Sequence, residues 1–326
     1  MSQLPSTRGG DKLVELAIPN ADRLWDSAFR RICWLAAGSM ILLMLLMLYE
    51  IAYKASPAIR EYGLGFITSS TWDASREQYG ILPEIWGTVY SSLIALVVAV
   101  ILGLCIAIWL TQQLLPQKLE WALKTVIELL ASIPSVVFGL WGIFVVIPMI
   151  RPMAGWLNEN LSWIPLFRSP LSGPGLFPAS IVLAIMILPT ITAISRDAIA
   201  SVPNRLREAA FGLGATRWEV ITKVVLPTAS RGIWGAVVLG LGRALGETMA
   251  LAMLVGNSNQ LTIAIFSPAN TLAALLANQF PEANEQQGPV LLYVALVLMA
   301  ITLGVNILGS LVLYGLPTKR KKELAT

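Results

Sequence analysis

Six separate stretches of this chain are apolar for long enough to cross a lipid bilayer, and this recurrence constrains the fold more than any other feature. A helix needs about 20 predominantly apolar residues to span the hydrocarbon core. Lipid offers no hydrogen bonds to the backbone, so each stretch must bond internally, as a helix does. The stretches are Ile32–Tyr53, Tyr90–Leu110, Thr125–Ile150, Phe177–Ser195, Ile233–Val255 and Val290–Leu316. Only 13% of the 326 residues are charged and 56% are hydrophobic, whereas a soluble domain carries about 25% charged residues. The expected fold class is an all-α polytopic membrane protein with six transmembrane helices.

An even number of spans returns both termini to one side, and the basic residues decide which. With the termini inside, 17 Lys and Arg fall in cytoplasmic pieces and 5 in outer loops, leaving Arg243 inside a span. The positive-inside rule then makes both termini cytoplasmic. The polar first residues read as a cytoplasmic tail (1–31) before a retained anchor, since a cleaved signal would begin its apolar run earlier. Residues 32–84 make the first span and an outer loop, 85–316 a transmembrane domain, and 317–326 a basic cytoplasmic tail.

Several chemistries are excluded at once. The chain has no histidine and two cysteines, Cys33 and Cys105, in different apolar runs. Neither a His-based acid–base site nor a Cys/His metal site can be assembled from these. No phosphate-cradling glycine loop ending in Lys-Ser/Thr occurs, so the chain is not expected to bind ATP itself. Its excess of positive charge reflects loop bias rather than nucleic-acid binding.

The cytoplasmic segment between spans four and five, residues 203–227, is the most informative. It opens at Val202-Pro203, continues with a helical pattern through Leu206, Ala209, Ala210 and Leu213, and offers Gly212 and Gly214 as helix ends. Thr216-Arg217-Trp218-Glu219 has the spacing of a capping box. The helix it starts would carry Trp218, Ile221 and Val225 on one face and stop at Leu226-Pro227. Two short helices joined by a glycine turn at the inner membrane surface are expected. The residues alone leave open whether this hairpin meets a partner or only the interface.

The pattern Glu208-Ala209-Ala210, Gly214, Val224 and Leu226-Pro227 resembles the EAA loop of bacterial ABC importer permeases, with Val224 where the family has Ile. The resemblance implies the type I ABC importer permease fold and a loop that docks on a separate ATPase subunit. Three further motifs resemble the PstC family of phosphate importer permeases. They are Glu77-Gln78-Tyr79-Gly80-Ile81-Leu82-Pro83 with Gly87-Thr88, then Ile133 to Gly139, and Gly242-Arg243-Ala244-Leu245-Gly246-Glu247-Thr248. The family resemblance implies a related PstA-like permease subunit, two PstB-like ATPase subunits that hold ATP and Mg2+, and an extracytoplasmic PstS-like phosphate-binding protein. It also implies the bacterial inner membrane as the location. Sulfate or molybdate is the alternative cargo; an ion-coupled secondary transporter would predict internal repeats and more intramembrane carboxylates.

Arg243 and Glu247 fall inside the fifth apolar stretch, where each charge costs about 2.5–3.5 kcal/mol on insertion scales. As i and i+4 on one helix they would share a face and pair. The residues leave two readings: a self-neutralised pair that locks packing, or a guanidinium offered to an oxyanion and held by Glu247. The resemblance favours the second. Gly242 and Gly246 would form a small-residue stripe for another helix. Ser135 and Thr248 join the candidate path through their motifs, while Ser132 and Thr190 are placed to bond across helices. Pro134 and Pro189 free a carbonyl inside their spans. Glu128 and Glu50, near span ends, are expected to be structural. No catalytic and no metal-binding residue is expected.

Overall fold

The computed structural model of the chain describes residues 20–73, 75–112 and 116–315. The expected tails up to residue 19 and from 317 to 326 lie outside them. One unit ends at Glu50 and the other begins at Ile51. The first is the leading part of helix α1 (Asn20–Tyr62), whose apolar side chains from Trp34 to Leu48 are all exposed, as suits a helix in lipid.

The second unit starts with the end of α1 and a short helix α2 (Gly65–Thr68). A two-stranded hairpin follows, β1 (Trp72–Asp73) and β2 (Gln78–Tyr79), with Trp72 opposite Tyr79. Helix α3 (Leu82–Thr111) is uninterrupted, and α4 (Gln117–Ser132) stops at Ile133-Pro134. Beyond the break run α5 (Ser135–Trp141), a π turn (Gly142–Val146) and α6 (Ile147–Leu161). Next come α7 (Leu176–Ala200), α8 (Asn204–Gly212) and α9 (Arg217–Glu219), which passes through a π turn (Val220–Val225) into α10 (Leu226–Leu245). The chain ends in α11 (Met249–Leu254), α12 (Leu272–Gln279) and α13 (Gln287–Gly315).

Among the described residues, six helices are long and apolar enough to cross a membrane: Trp25–Tyr62, Leu82–Thr111, Ser135–Leu161, Leu176–Ala200, Arg217–Leu245 and Gln287–Leu313. Two differ from the sequence expectation. Span three does not run Thr125–Ile150, because the helix breaks at Ile133-Pro134. Proline lacks an N–H and forces the preceding residue out of the helical region, and Ile133 sits at ψ 129°. Span five does not run Ile233–Val255; its helix starts earlier, at Arg217, and ends at Leu245 before Gly246.

Helix α7 is the most buried span and packs chiefly on α3 and α10. In lipid, apolar burial gains little, so helices associate where small residues let backbones approach. On α3, Ala95, Ala99, Gly103 and Ala107 recur every four residues and are all buried. A Cβ on Gly103 would come within 3.1 Å of Ile191 and 3.2 Å of the Thr192 hydroxyl. Against this stripe α7 sets Leu183, Ile187 and Ile191. A second core joins the end of α1, α2, the hairpin and α13: Phe66 stacks on Tyr293 with ring centroids 4.5 Å apart, and the Tyr293 hydroxyl donates to the Gly63 carbonyl. In the hairpin turn the Ser75 hydroxyl donates to Asp73 and holds that carboxylate below its usual range.

Candidate functional site: an intramembrane arginine and a coupling loop

Arg243 lies in the last turn of α10. Its Nη1 donates to the Thr190 hydroxyl at 3.0 Å, and Thr190 sits near the middle of α7. The guanidinium is therefore level with the middle of the membrane-spanning helix α7, and Arg243 is exposed in this chain. Thr190 does bond across helices, as its place in span four suggested. Pro189 is carried within the uninterrupted α7.

The expected Arg243–Glu247 pair does not form: no ion pair among the described residues joins them. The i,i+4 argument assumed one continuous helix. Instead Gly246 caps α10 and Thr248 adopts φ −113°, ψ −64°, which turns Glu247 off the Arg243 face. The half-buried Glu247 bonds only through its backbone, to Ala244, and the Thr248 hydroxyl donates back to the Gly246 carbonyl. The glycine stripe is split in the same way. A Cβ on Gly242 would meet Asn306 Oδ1 of α13 at 2.9 Å, while Gly246 sits at the break with nothing near it but its own backbone.

Ser135 is the first residue of the helix beyond the Pro134 break, and Pro134 supplies no side-chain cap. No hydrogen bond among the described residues joins Ser135 to Arg243, Glu247 or Thr248. Their elements do meet, because α5 packs on α11. A Cβ on Gly139 would touch Met253 Sδ at 2.7 Å, and one on Gly142 would touch Leu254 at 2.5 Å. Glu128 is exposed on α4, and Ser132 bonds only locally, to the Leu129 carbonyl.

The loop at 203–227 forms largely as its spacing predicts. Helix α8 ends in a paired C-terminal motif in which Ala215 N–H donates to the Ala210 carbonyl and Gly214 N–H to that of Phe211. Gly214 adopts φ +83°, a conformation that costs any residue with a Cβ, so Gly214 rather than Gly212 makes the turn. The capping box is complete: Thr216 Oγ1 accepts from Glu219 N–H at 3.3 Å, and Glu219 Oε2 accepts from Thr216 N–H at 3.0 Å. Two details differ. The helix does not stop at Leu226-Pro227; a π turn just before it shifts the bonding register, so the proline's missing N–H is absorbed at the start of α10. The buried face is Val220, Ile221 and Val225, while Trp218 is 72% exposed. Glu208 and Ala209 are exposed, Ala210 is half-buried, and Leu213 projects at 90% exposure. The loop thus presents an apolar knob bearing a carboxylate.

One buried group escaped the sequence reading. Glu84, in the first turn of α3, has no exposed surface, and neither carboxylate oxygen finds a hydrogen bond in the described chain. One turn on, Thr88 donates to the Glu84 carbonyl and accepts from Leu272 N–H, fastening α3 to the start of α12. In the sequence only the Gly87-Thr88 motif hinted at this junction, where a Cβ on Gly87 would collide with the Asn270 backbone.

The six spans and the exposed loop bearing Glu208-Ala209-Ala210 and Gly214 agree with an importer permease of the ABC class. The sequence matches the model of the binding-protein-dependent transport system inner membrane component family over residues 99–316. It is 41% identical over 293 residues to the phosphate transport system permease protein PstC of Haemophilus influenzae, covering 88% of this chain and 93% of that protein. The PstC protein of Xylella fastidiosa (strain 9a5c) is 37% identical over 96% of each chain. The chain belongs to the PstC family within the binding-protein-dependent inner-membrane components. Its fold is similar to a chain of the inward-facing MetNI methionine ABC transporter (TM-score 0.56, 19% identity, 73% of this chain and 96% of that one). It is also similar to a chain of a bacterial alginate ABC transporter complex (TM-score 0.55, 19% identity, 88% and 96%). The chain is a multi-pass inner-membrane transport subunit.

Proposed function

We propose that this chain is the permease subunit of an ATP-driven importer of inorganic phosphate, forming half of a translocation path and coupling it to a separate ATPase. One observation carries the reading beyond family membership: a guanidinium held by Thr190 at the middle of a membrane-spanning helix, with no carboxylate partner among the described residues. A fixed cation in a low-dielectric path lowers the barrier to an anion, and a guanidinium matches the oxygens of a tetrahedral oxyanion. A phosphate dianion needs more than one such group, so a related PstA-like subunit across the path would supply the rest. Two PstB-like ATPase subunits would hold ATP and Mg2+ and dock on Glu208, Ala209, Ala210, Gly214, Leu226 and Pro227. A PstS-like binding protein would deliver phosphate on the opposite face, and both termini would be cytoplasmic. The reading of phosphate, rather than sulfate or molybdate, is supported by the relatives from Haemophilus influenzae and Xylella fastidiosa, which are phosphate transport system permeases.

The test is uptake into proteoliposomes holding both permease subunits, the ATPase and the binding protein. ATP-dependent accumulation of phosphate, and not of sulfate or molybdate, is expected. Uptake driven by an ion gradient without the ATPase would overturn the proposal.

A further inference from the structure

Where α3 ends, a cavity of about 300 Å3 opens between that helix end and the α8–α9 loop. Its polar wall is Thr111, Gln112, Asn204, Arg207 and Arg217. Phe211, Val220 and Ile221 close the apolar side. Two guanidiniums therefore line one small space, and no carboxylate is among the described lining residues. Of the acidic groups nearby in sequence, Glu208 is exposed and is not among the lining residues, and two others are engaged elsewhere. Glu219 accepts from Thr216 and from Lys223, and Asp197 pairs with Arg196.

Arg207 is only partly satisfied. Its Nη2 donates to the Ile199 carbonyl at 2.9 Å, which fixes the side chain, while its Nε is buried and has no partner. Asn204 and Arg207 also lie in the first two turns of α8, whose N-cap, Pro203, offers no side-chain acceptor to the free amides. The positive end of the helix dipole adds to the two fixed charges. Because the cavity joins a polar wall to an apolar one, it suits an acceptor-rich anion against which a hydrocarbon segment can also rest.

We propose that this cavity is a second anion site, separate from the path at Arg243, which takes a phosphate group through Arg207, Arg217 and Asn204 and so ties the coupling loop to the end of α3. Inorganic phosphate and the headgroup of an anionic phospholipid share this chemistry. Either would brace α8 and α9 against the membrane helices. The site does not depend on which ion the path carries.

Amide hydrogen exchange across residues 204–221 tests this in the full complex, reconstituted in nanodiscs of phosphatidylcholine alone or with phosphatidylglycerol. Bound ligand slows exchange by a factor of 1 + [L]/Kd, so about tenfold slowing is expected at about ten times Kd. Potassium chloride at matched ionic strength sets the baseline. Slowing by inorganic phosphate in neutral nanodiscs supports the site with the free ion as occupant; slowing by phosphatidylglycerol alone supports it with the lipid. In Arg207→Gln/Arg217→Gln the slowing should vanish. Asn204→Asp is the second variant, since a carboxylate is tolerated in a first turn and would itself occupy the guanidiniums; it too should abolish the effect. No slowing by either ligand, or slowing that survives both variants, overturns the proposal.

Discussion

Replacing Arg243 by Gln removes one full charge from beside the middle of α7 while keeping a polar, neutral amide at the position. Two unit charges about 4 Å apart attract by about 4 kcal/mol at an effective dielectric constant of about 20. At about 1.4 kcal/mol per decade, that is about a thousandfold in phosphate uptake. The second charge of a phosphate dianion raises this figure and desolvation of the ion lowers it. Thr190→Val should act through the same guanidinium. It removes a hydrogen bond to a charged group, about 1.5–3 kcal/mol, or about ten- to a hundredfold in uptake. Combined with Arg243→Gln it should add nothing, because the charge it orients is gone. The broken helix also predicts that Glu247→Gln will not rescue Arg243→Gln, since the two side chains form no pair to rebalance. Radiolabelled phosphate uptake into proteoliposomes is the assay, with ATPase activity of the same preparations showing that the complex assembles. Wild-type uptake by Arg243→Gln, or its restoration by Glu247→Gln, would refute the assignment.

Gly214→Val places a β-branched residue at φ +83°, at a cost of about 1–2 kcal/mol for a left-handed conformation; stimulated ATPase activity should fall while the spans remain inserted. Thr216→Ala removes the capping hydroxyl, costs about 0.5–2 kcal/mol and should speed amide exchange in the first turn after Thr216. Gly142→Ala should destabilise the complex more than Gly139→Ala, because its Cβ would meet Leu254 and Val182 together, whereas that of Gly139 meets mainly the flexible Met253; thermal unfolding of the two variants ranks them. Reporter fusions at Thr326 and within 257–289 should mark opposite sides of the membrane, and finding both on one side would remove the six-span topology.

Elements governed by local chemistry were legible in the sequence. The capping box at Thr216 and the turn at Gly214 form because a hydroxyl, a carboxylate and an absent Cβ act within a few residues of one another. The number of spans followed from length and apolarity alone. The breaks at Ile133-Pro134 and Gly246 were not legible as breaks, because hydropathy runs straight through them and reads Thr125–Ile150 and Ile233–Val255 as unbroken. A proline within an apolar run has two outcomes, and this chain contains both: Pro134 ends a helix while Pro189 sits inside one. Tertiary packing decides between them. Glu84 stayed hidden for a related reason. A carboxylate in the first turn of a helix looks like an ordinary dipole-compensating surface residue until the packing of α3 against Asn270 and Leu272 is seen and the residue proves fully buried.

The uninterrupted helix from Arg217 to Leu245 changes how the two candidate sites relate. Had it stopped at Leu226-Pro227, the coupling loop and Arg243 would stand on different rigid bodies. Instead the second half of the loop and the intramembrane arginine are opposite ends of one 29-residue helix, about 40 Å apart at about 1.5 Å per residue. Packed helices move as units, so if an ATPase docks on the loop as proposed, a displacement imposed there would reach the guanidinium along a single element. The π turn at Val220–Val225 is the departure from regular bonding along that helix, and it lies on the loop side of Pro227. Any bending should therefore be taken up beside the ATPase contact, leaving α10 to carry Arg243 past Thr190 as a stiff rod.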